Sequence, residues 1–414
     1  MRKILVRGGV NPLKPLSTNQ ILLHNRIGGN SGNVLYLMGV LRSVWSSDAD
    51  IDVDCYAYEL GRYKEEDIDR INNVYDMYII PLADAFRNDF IVNLDNLTKF
   101  INKLNIPVYV LSVGIRAEYD PDLRQRFIFN DAVKRFVKAV LNHSSCIGLR
   151  GVITAKYLQN LGFEPERDFT VIGCPSLYIY GEDIFVRDSK FDEFSSMSIN
   201  FNPNIVDIDS NLLKIAKKQH EYYVVGQNIA ELKCLRLGIS DKKIESKWYF
   251  ADINHELYKE NHMRGFLTAG DWIRYMKRID YSVGGKFHGN VAAILGGAKT
   301  LFIPSDARMQ ELVSFHKLPS IPSKQWNRIS FFEEIIESVD FESHIKQHKE
   351  NFLNYVGFLE KIGLPSVWSL EEKPKEELLL FSRTVNNCLF TDRATQINIW
   401  NDYMTRFERK YKQK

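Results

Sequence analysis

Cysteine is scarce in this chain of 414 residues, and its five cysteines are scattered. They are Cys55, Cys146, Cys174, Cys234 and Cys388, and no two of them are spaced as Cys-x-x-Cys. An odd number without close spacing indicates neither a zinc cluster nor a disulfide framework. Such usage is typical of a reducing compartment, so we expect a cytoplasmic protein.

Long apolar runs and a dominant charge are also missing. No run of about 18 or more apolar residues occurs, so no membrane-spanning helix is predicted. The first residues lack the apolar core of a signal peptide and predict a β-strand instead. The 54 basic and 52 acidic residues give a net charge of only +2, so the composition indicates no nucleic-acid partner.

Several common catalytic signatures are absent. The chain contains no P-loop, no Gly-x-Gly-x-x-Gly fingerprint, no Gly-x-Ser-x-Gly elbow and no His-Glu-x-x-His pair. Asp-x-Asp occurs in the run of alternating aspartates at 48–54, whose second part is strand-like, and again at 67–69, 120–122 and 207–209, the last of which opens a helix. Because no carboxylate cluster remains, we predict a site without metal. The same absence argues against a metal-dependent nucleotide-sugar transferase.

The regular feature of the sequence is an alternation of strand-like and helix-like segments. Predicted strands lie at 4–6, 52–58, 77–81, 107–114, 146–150 and 170–175, then at 197–201, 222–225, 248–250, 281–283 and 299–304. Predicted helices lie at 34–41, 64–73, 94–104, 131–141 and 152–161, then at 210–219, 272–278, 290–295 and 309–315. This alternation predicts an α/β fold with doubly wound parallel sheets.

The length predicts more than one domain. We assign residues 1–180 to a first Rossmann-like domain and residues 195–330 to a second. The charged, aliphatic-poor stretch between them is a predicted connection. Residues 331–414 form a predicted helical extension that packs back on the body.

The end of that extension combines aromatic and basic residues. Residues 398–414 place aromatic and aliphatic side chains on one helical side and crowd lysines and arginines at the end. One interpretation is a tail helix packed on the body. The other is an interfacial helix that makes a peripheral contact with a membrane.

The loop after the predicted strand 281–283 contains Gly285, Lys286, His288 and Gly289 and precedes a helix of small residues. Ligands of α/β sheets bind at the carboxyl ends of strands, and helix N-termini there favour anions. A lysine and a histidine in such a loop predict an anion site with a titratable group. The alternative is a structural turn in which His288 only caps or packs.

A second loop, before the helix at 34–41, is rich in glycine and asparagine. Its candidate ligand-binding residues are Gly28, Gly29, Asn30, Ser31 and Asn33. Glycines let a backbone approach a ligand closely. The alternative is a tight turn in which Asn33 is the N-cap of the helix.

Other cationic residues follow predicted strands in the same way. Arg116, Arg150 and Arg308 each come just after a strand, as Lys286 and His288 do. A small dianion or trianion would suit such a set, and the shared position just after strands favours a common site. Taken singly, each of these residues is more often a surface charge than a ligand.

Several of these pieces, in order, resemble the polysaccharide pyruvyl transferase family. The loop at 28–33 is similar to the family's Asn-x-Gly-Asp start, and 147–150 with Leu161-Gly162 is similar to its Gly-x-Arg-Asp segment. Residues 171–176 resemble its Asp-Pro-Ala strand end. Residues 280–289 resemble its motif ending in Arg-Leu-His-Gly, and 299–308 its next strand and loop. The resemblance covers roughly residues 20–315.

The chain departs from the family pattern at three positions. The arginine before the histidine is Lys286, the acidic residue after the arginine is Gly151, and the aspartate of Asp-Pro-Ala is Cys174. Lysine is a point charge and lacks the bidentate fork of arginine, so its grip on a carboxylate or phosphate differs.

The resemblance implies a GT-B-like fold, in which two Rossmann-like domains face each other across a cleft. It also implies transfer of pyruvate from phosphoenolpyruvate to a sugar diol as a cyclic ketal, without a further cofactor. Arg150, Lys286 and Arg308 would hold the donor, and His288 would be a general acid titrating near pH 7. The acceptor would be a cell-surface glycan or its lipid-linked precursor at the inner face of the membrane.

Two other functions fit the same residues. The first is a GT-B glycosyltransferase whose nucleotide sugar is gripped at the diphosphate by Lys286 and His288. The second is a non-catalytic glycan-binding relative, which the three departures from the motif suggest.

Overall fold

The computed structural model describes residues 1–14, 16–202, 205–240, 251–326 and 332–382. The strand predicted at 248–250 and the tail at 398–414 lie outside the described residues.

The first half of the chain forms an N-terminal sheet of parallel strands. They are β1 (Arg2–Val6), β2 (Ala49–Val53), β3 (Met77–Pro81), β4 (Val108–Leu111), β5 (Ile147–Leu149) and β6 (Phe169–Val171). The order is β2-β1-β3-β4, and a bridge from Val113 to Leu149 adds the β5–β6 pair. Strands β3, β4 and β5 are buried along their whole length, which explains their continuous apolar sequences, and β1 is buried from Ile4 to Val6.

Helices connect these strands. They are α1 (Thr18–Leu23), α2 (Gly32–Val44), α3 (Glu65–Val74), α4 (Ile91–Ile101), α5 (Asn130–Leu141) and α6 (Val152–Asn160), with single 3-10 turns at Asn88–Phe90 and Pro175–Tyr178. In α5 the apolar residues recur at helical spacing, so Val133, Phe136 and Val140 are all buried on one face.

The second half forms a C-terminal sheet, also parallel. Its strands are β7 (Ser196–Asn200), β8 (Glu221–Gly226), β9 (Met263–Gly265), β10 (Tyr281–Gly284) and β11 (Lys299–Phe302), in the order β11-β10-β7-β8-β9. Its helices are α7 (Val206–Ala216), α8 (Ile229–Leu237), α9 (Glu256–Lys259), α10 (Ala269–Met276), α11 (Phe287–Leu295) and α12 (Ala307–His316).

The chain continues as helices, namely α13 (Ser323–Trp326), α14 (Phe332–Ser338), α15 (Ser343–Lys361) and α16 (Glu377–Leu380). Tyr355 of α15 stacks on Tyr178 with ring centroids 4.9 Å apart. One apolar core includes Val6 of β1, Val291 of α11 and Tyr355, so it joins both sheets to α15. No helix among the described residues is long and apolar enough to cross a bilayer.

The predicted α/β class, with two Rossmann-like sheets facing a cleft and a helical C-terminal region, is confirmed. The domain boundaries at 180, 195 and 331 stay predictions.

Some predicted elements differ from the structure. The strand predicted to reach residue 58 ends at Val53, because 55–61 form turns. The helix predicted at 272–278 is α10 and begins at Ala269, because the Thr268 side chain accepts the capping bond from the N–H of Asp271. Helix α8 and strand β9 were not predicted; β9 has only three residues, too few for a pattern.

Candidate active site

A cleft of about 440 Å³ lies between the carboxyl ends of the two sheets. The strand order of the N-terminal sheet reverses between β1 and β3, and that of the C-terminal sheet between β7 and β10. Such reversal points leave a crevice at the strand ends. Six basic residues and two acidic residues line the cleft, namely Arg7, Arg87, Arg116, Arg150, Lys286, Arg308, Glu59 and Asp84.

Arg150 directly follows β5 and is almost completely buried. Its Nε donates to the carbonyl oxygen of Ser112 at 3.1 Å, and its guanidinium lies 5.3 Å from the ring centroid of Tyr36. Its Nη2 has no hydrogen-bond partner within the described chain, although it is buried. A buried, unpaired guanidinium nitrogen that lines a cleft is suited to an anionic ligand.

The backbone that accepts the hydrogen bond from Arg150 is strained. Ser112 follows β4 in the left-handed region, with φ of 56°, and is fully buried. Its hydroxyl donates to the carbonyl of Gly173 at 2.6 Å, and the Tyr36 hydroxyl donates to the carbonyl of Leu111 at 2.5 Å. A non-glycine residue in this conformation costs about 1–3 kcal/mol and is found mostly at functional sites.

His288 lies in the first turn of α11, because this helix begins at Phe287 and not at residue 290 as predicted. Its Nε2 is 3.8 Å from the sulfur of Cys174. A Cβ added to Gly32 would lie 2.6 Å from its Nδ1, so only glycine leaves room for the ring. Burial, followed by the nearby charges of Arg150 and Arg308, holds the pKa of His288 well below its usual value. The expected titration near pH 7 is therefore not a property of the free protein.

Lys286 is the N-cap of α11 and also lines the cleft. Its Nζ is 3.8 Å from the carboxylate of Glu231, and both side chains are largely buried. Gly285 lines the cleft, but Gly289 does not. A Cβ at Gly289 would lie 2.7 Å from the amide nitrogen of Gln227, so the structure explains that glycine by close packing.

Asp84 follows β3 and is the shared partner of three arginines. Its carboxylate is 2.7 Å from Arg116, 3.1 Å from Arg308 and 3.2 Å from Arg87. Burial alone would raise the pKa of this carboxyl, but the guanidinium groups outweigh burial and lower the pKa well below its usual range. Asp84 therefore stays ionised and fixes the positions of Arg116 and Arg308.

The glycine-rich loop lines the cleft only in part, through Gly28, Asn30 and Asn33. The other two candidates, Gly29 and Ser31, are outside the lining. The carbonyl of Gly29 accepts from the N–H of Ile229 at 2.9 Å. Helix α2 begins at Gly32, so the alternative in which Asn33 is its N-cap is wrong.

Main-chain hydrogen bonds join the two sheets on both sides of the cleft. On one side the N–H of Ser31 donates to the carbonyl of Gln227 at 2.8 Å. On the other side the N–H of Ala307 donates to the carbonyl of Ala117 at 3.1 Å. The structure thus brings Arg116, Arg150, Lys286, His288 and Arg308 to one cleft, from elements of both sheets.

A sequence model of the polysaccharide pyruvyl transferase family matches residues 30–306, which is more than half of the chain. The chain belongs to the polysaccharide pyruvyl transferase family. It is therefore a transferase. No curated protein is significantly similar to it in sequence.

Solved structures show only distant similarity. UDP-N-acetylglucosamine 2-epimerase from Rickettsia bellii has 11% identity and a TM-score of 0.45, covering 87% of this chain and 96% of the epimerase. UDP-GlcNAc 2-epimerase of Methanocaldococcus jannaschii, in complex with UDP-GlcNAc and UDP, has 9% identity and a TM-score of 0.43, covering 86% and 100%. A functionally uncharacterised Klebsiella pneumoniae protein has 13% identity and a TM-score of 0.40, covering 76% and 88%. These scores support no inference about this chain.

Two departures from the family pattern have a structural counterpart. Cys174 stands where the pattern has aspartate, and its sulfur is the neighbour of His288. Gly151 lacks the acidic side chain, but a Cβ there would lie 2.6 Å from Cβ of Glu311 and 3.0 Å from one of its carboxylate oxygens. Glu311, from α12, thus supplies a carboxylate next to Gly151.

Sequence reasoning missed several residues of this site. Asp84 follows a predicted strand as Arg150 and Arg308 do, so a search for acidic residues at strand ends would have found it. Gln227 follows β8, and its buried amide nitrogen lines the cleft without a partner among the described residues. Glu311 lies inside a helix and carries no sequence signal.

Proposed function

We propose that this transferase moves the pyruvyl group of phosphoenolpyruvate onto two hydroxyls of a sugar, forming a cyclic ketal. The observation that supports this most is the buried Nη2 of Arg150, which has no partner in the described chain and faces the cleft beside His288. Phosphoenolpyruvate carries a carboxylate and a phosphate. It therefore needs more than one cation. Nη2 of Arg150 and Nε of Arg308 are buried without a partner in the described chain, and Lys286 lines the same cleft 3.8 Å from Glu231.

The reaction proceeds by protonation of the enol carbon C3 of the donor, which makes C2 electrophilic. One sugar hydroxyl adds to C2 and loses its proton. The second hydroxyl then adds, and the bond from C2 to the phosphate oxygen breaks. One hydroxyl proton balances the proton delivered to C3, and the other leaves with the phosphate. No oxidant or reductant is needed, and we propose no cofactor other than the donor itself.

His288 is the residue that we propose to carry the proton to C3. In the free protein burial and the nearby arginines keep it neutral. A bound donor would place two or three negative charges beside Arg150 and Arg308 and so offset the charges that depress the pKa of His288. The histidine then takes up a proton when the donor is bound, where it is needed. Arg150 and Lys286 would stabilise the charge on the departing phosphate.

The acceptor that we propose is a cell-surface polysaccharide or its lipid-linked precursor. A cytoplasmic location at the inner face of the membrane belongs to the same proposal, because lipid-linked precursors present their sugars there. The scattered cysteines, none of them spaced as Cys-x-x-Cys, support the reducing compartment.

The test is incubation of the protein with phosphoenolpyruvate and a panel of glycans. We expect phosphate release together with a glycan mass gain of one pyruvate less one water. Arg150→Gln should weaken phosphoenolpyruvate binding by roughly 10- to 100-fold, since a hydrogen bond to a charged group is lost. Arg124→Gln is the matched control, because Arg124 is 90% exposed.

Three results would argue against the proposal. One is equal donor affinity in both arginine variants. Another is the absence of phosphate release and mass gain with every glycan. The third is a thermal shift with nucleotide sugars and none with phosphoenolpyruvate, which would favour a glycosyltransferase.

A further inference from the structure

The cleft has a second end, away from Arg150, at the carboxyl ends of β1 and β2. Arg7 directly follows β1, and Tyr56 and Glu59 lie in the turns that follow β2. All three line the cleft, and each side chain is otherwise largely buried. Each of the three therefore presents part of its remaining surface to the cleft.

Strained backbone holds Tyr56 in this position. Cys55 and Tyr56 are consecutive non-glycine residues in the left-handed region, with φ of 54° and 60°. The buried carboxylate of Asp54 accepts from the N–H of Tyr56 at 2.8 Å and of Gly8 at 3.1 Å, and from the Tyr78 hydroxyl at 2.7 Å. Each such residue costs on the order of 1–3 kcal/mol, and such strain clusters at ligand sites.

The Tyr56 ring is confined on two sides. The guanidinium carbon of Arg7 lies 4.9 Å from its centroid. A Cβ added to Gly28 would lie 3.0 Å from its Cζ, so the glycine-rich loop packs against it. The Tyr56 hydroxyl has no hydrogen-bond partner within the described part of the chain. A hydroxyl held rigidly at a cleft wall is free to donate to and accept from a ligand.

Arg7 and Glu59 form an ion pair at 2.5 Å, and Nη1 of Arg7 also donates to the carbonyl of Pro81 at 2.8 Å. The pair is neutral as a unit, unlike Arg150, whose Nη2 is unpaired. A balanced pair does not favour an anion. It does present a carboxylate acceptor next to guanidinium donors, which matches the donor and acceptor roles of neighbouring sugar hydroxyls.

We propose that Arg7, Tyr56 and Glu59 form a subsite for an uncharged pyranose with vicinal hydroxyls, the acceptor class of this transferase. The inference rests on the proposed function, in which the donor occupies the Arg150 end. The two ends then differ by charge. The anionic donor binds where a cation lacks a partner, and the neutral acceptor binds where the cation is compensated.

The test is saturation-transfer NMR on the full chain, with and without phosphoenolpyruvate. The probes are the methyl glycosides of glucose, galactose and mannose, with methyl glucuronide as the charged comparison. We expect at least one neutral glycoside to bind, and Glu59→Gln and Tyr56→Phe each to weaken it by roughly tenfold. Donor affinity should stay within about twofold in both variants. Glu66→Gln, an exposed glutamate after β2, is the control.

Three outcomes would overturn the subsite. Neutral glycosides could bind both variants as well as they bind the unchanged protein. Glucuronide could bind better than every neutral glycoside, or none of the four could bind even with phosphoenolpyruvate present. Thermal unfolding shows whether each variant is folded, and Tyr56→Phe removes only one oxygen. If phosphoenolpyruvate itself does not bind, the proposed function fails, while the glycoside measurements still decide on the subsite.

Discussion

The guanidinium of Arg308 donates to the carboxylate of Asp84 at 3.1 Å, although the two residues are 224 positions apart. Asp84 lies in the loop after β3 of the N-terminal sheet, and Arg308 is the second residue of α12, which follows β11 of the C-terminal sheet. Both side chains are largely buried. The position of a proposed donor-binding cation thus depends on the other sheet.

Asp84→Asn should lower the free energy of unfolding by about 1–3 kcal/mol, because three guanidinium groups lose a shared, largely buried carboxylate, while Arg87 and Arg308 keep Asp89 and Asp306. Urea unfolding at neutral pH measures this. Inorganic phosphate should stabilise the variant more than the unchanged protein, since an anion can replace the lost charge. Asp122→Asn removes an exposed aspartate paired with Arg124 and should leave the urea midpoint nearly unchanged. Equal effects of the two substitutions would contradict the role of Asp84.

Binding of phosphoenolpyruvate should be accompanied by proton uptake at His288. The pKa of the free histidine is well below its usual value, and negative charge at Arg150 and Arg308 raises it. Calorimetry at pH 7 in buffers of different ionisation enthalpy measures the protons taken up. His288→Asn should reduce the uptake by up to about one proton. His143→Asn, far along the chain and bonded to the carbonyl of Ile106, should leave it unchanged.

Gly32→Ala should abolish activity without unfolding the protein. The new methyl group would lie 2.6 Å from Nδ1 of His288 and 2.9 Å from the side-chain oxygen of Asn30, so the histidine must move. Gly357→Ala is the matched change, because Gly357 is inside α15 and a Cβ there meets nothing within 4 Å. It should keep full activity and stabilise the protein by roughly 0.5–1 kcal/mol. Phosphate-release rates and urea midpoints of both variants test this prediction. A Gly32→Ala variant that remains active would contradict it.

The Glu311→Gln variant should gain stability relative to the unchanged protein as pH rises. Burial raises the pKa of the Glu311 carboxyl to about 7, against hydrogen bonds from Thr154. The unfolded chain therefore ionises first, and stability is lost as pH rises from about 4.5 to about 7. Removing that carboxyl should recover up to about 3 kcal/mol at pH 8 relative to pH 4.5. Unfolding at both values of pH, with Glu66→Gln as control, measures the difference; parallel pH curves for all three proteins would contradict it.

The sequence predicted the parts of this molecule that depend on local patterns. The strand ends at Arg150, Lys286 and Arg308 follow from apolar runs that stop at a charged residue. Parallel strands bring Lys286 and Arg308 to one edge of the C-terminal sheet, and the expected cleft between two such sheets places Arg150 opposite them. The gathering of these residues in one cleft could therefore be predicted, while their roles remain proposals.

The remaining features depend on contacts between distant residues. Nothing near Gly151 in sequence indicates that Glu311 fills the space beside it. The segment after β2 has strand-like composition, yet the Asp54 carboxylate bonds its backbone into a left-handed turn. The pKa of His288 likewise depends on arginines from two other segments. Such effects require three-dimensional proximity, which spacing along the chain does not record.

Main-chain bonds at Ser31 and Ala307 close the cleft on both sides, and this has a consequence for binding. A rigid-body separation of the two sheets would break backbone hydrogen bonds at both junctions at once. Both bonds therefore oppose opening of the cleft in the free protein. A population held at this spacing spares a donor part of the loss of affinity that a rarely populated binding-competent state imposes.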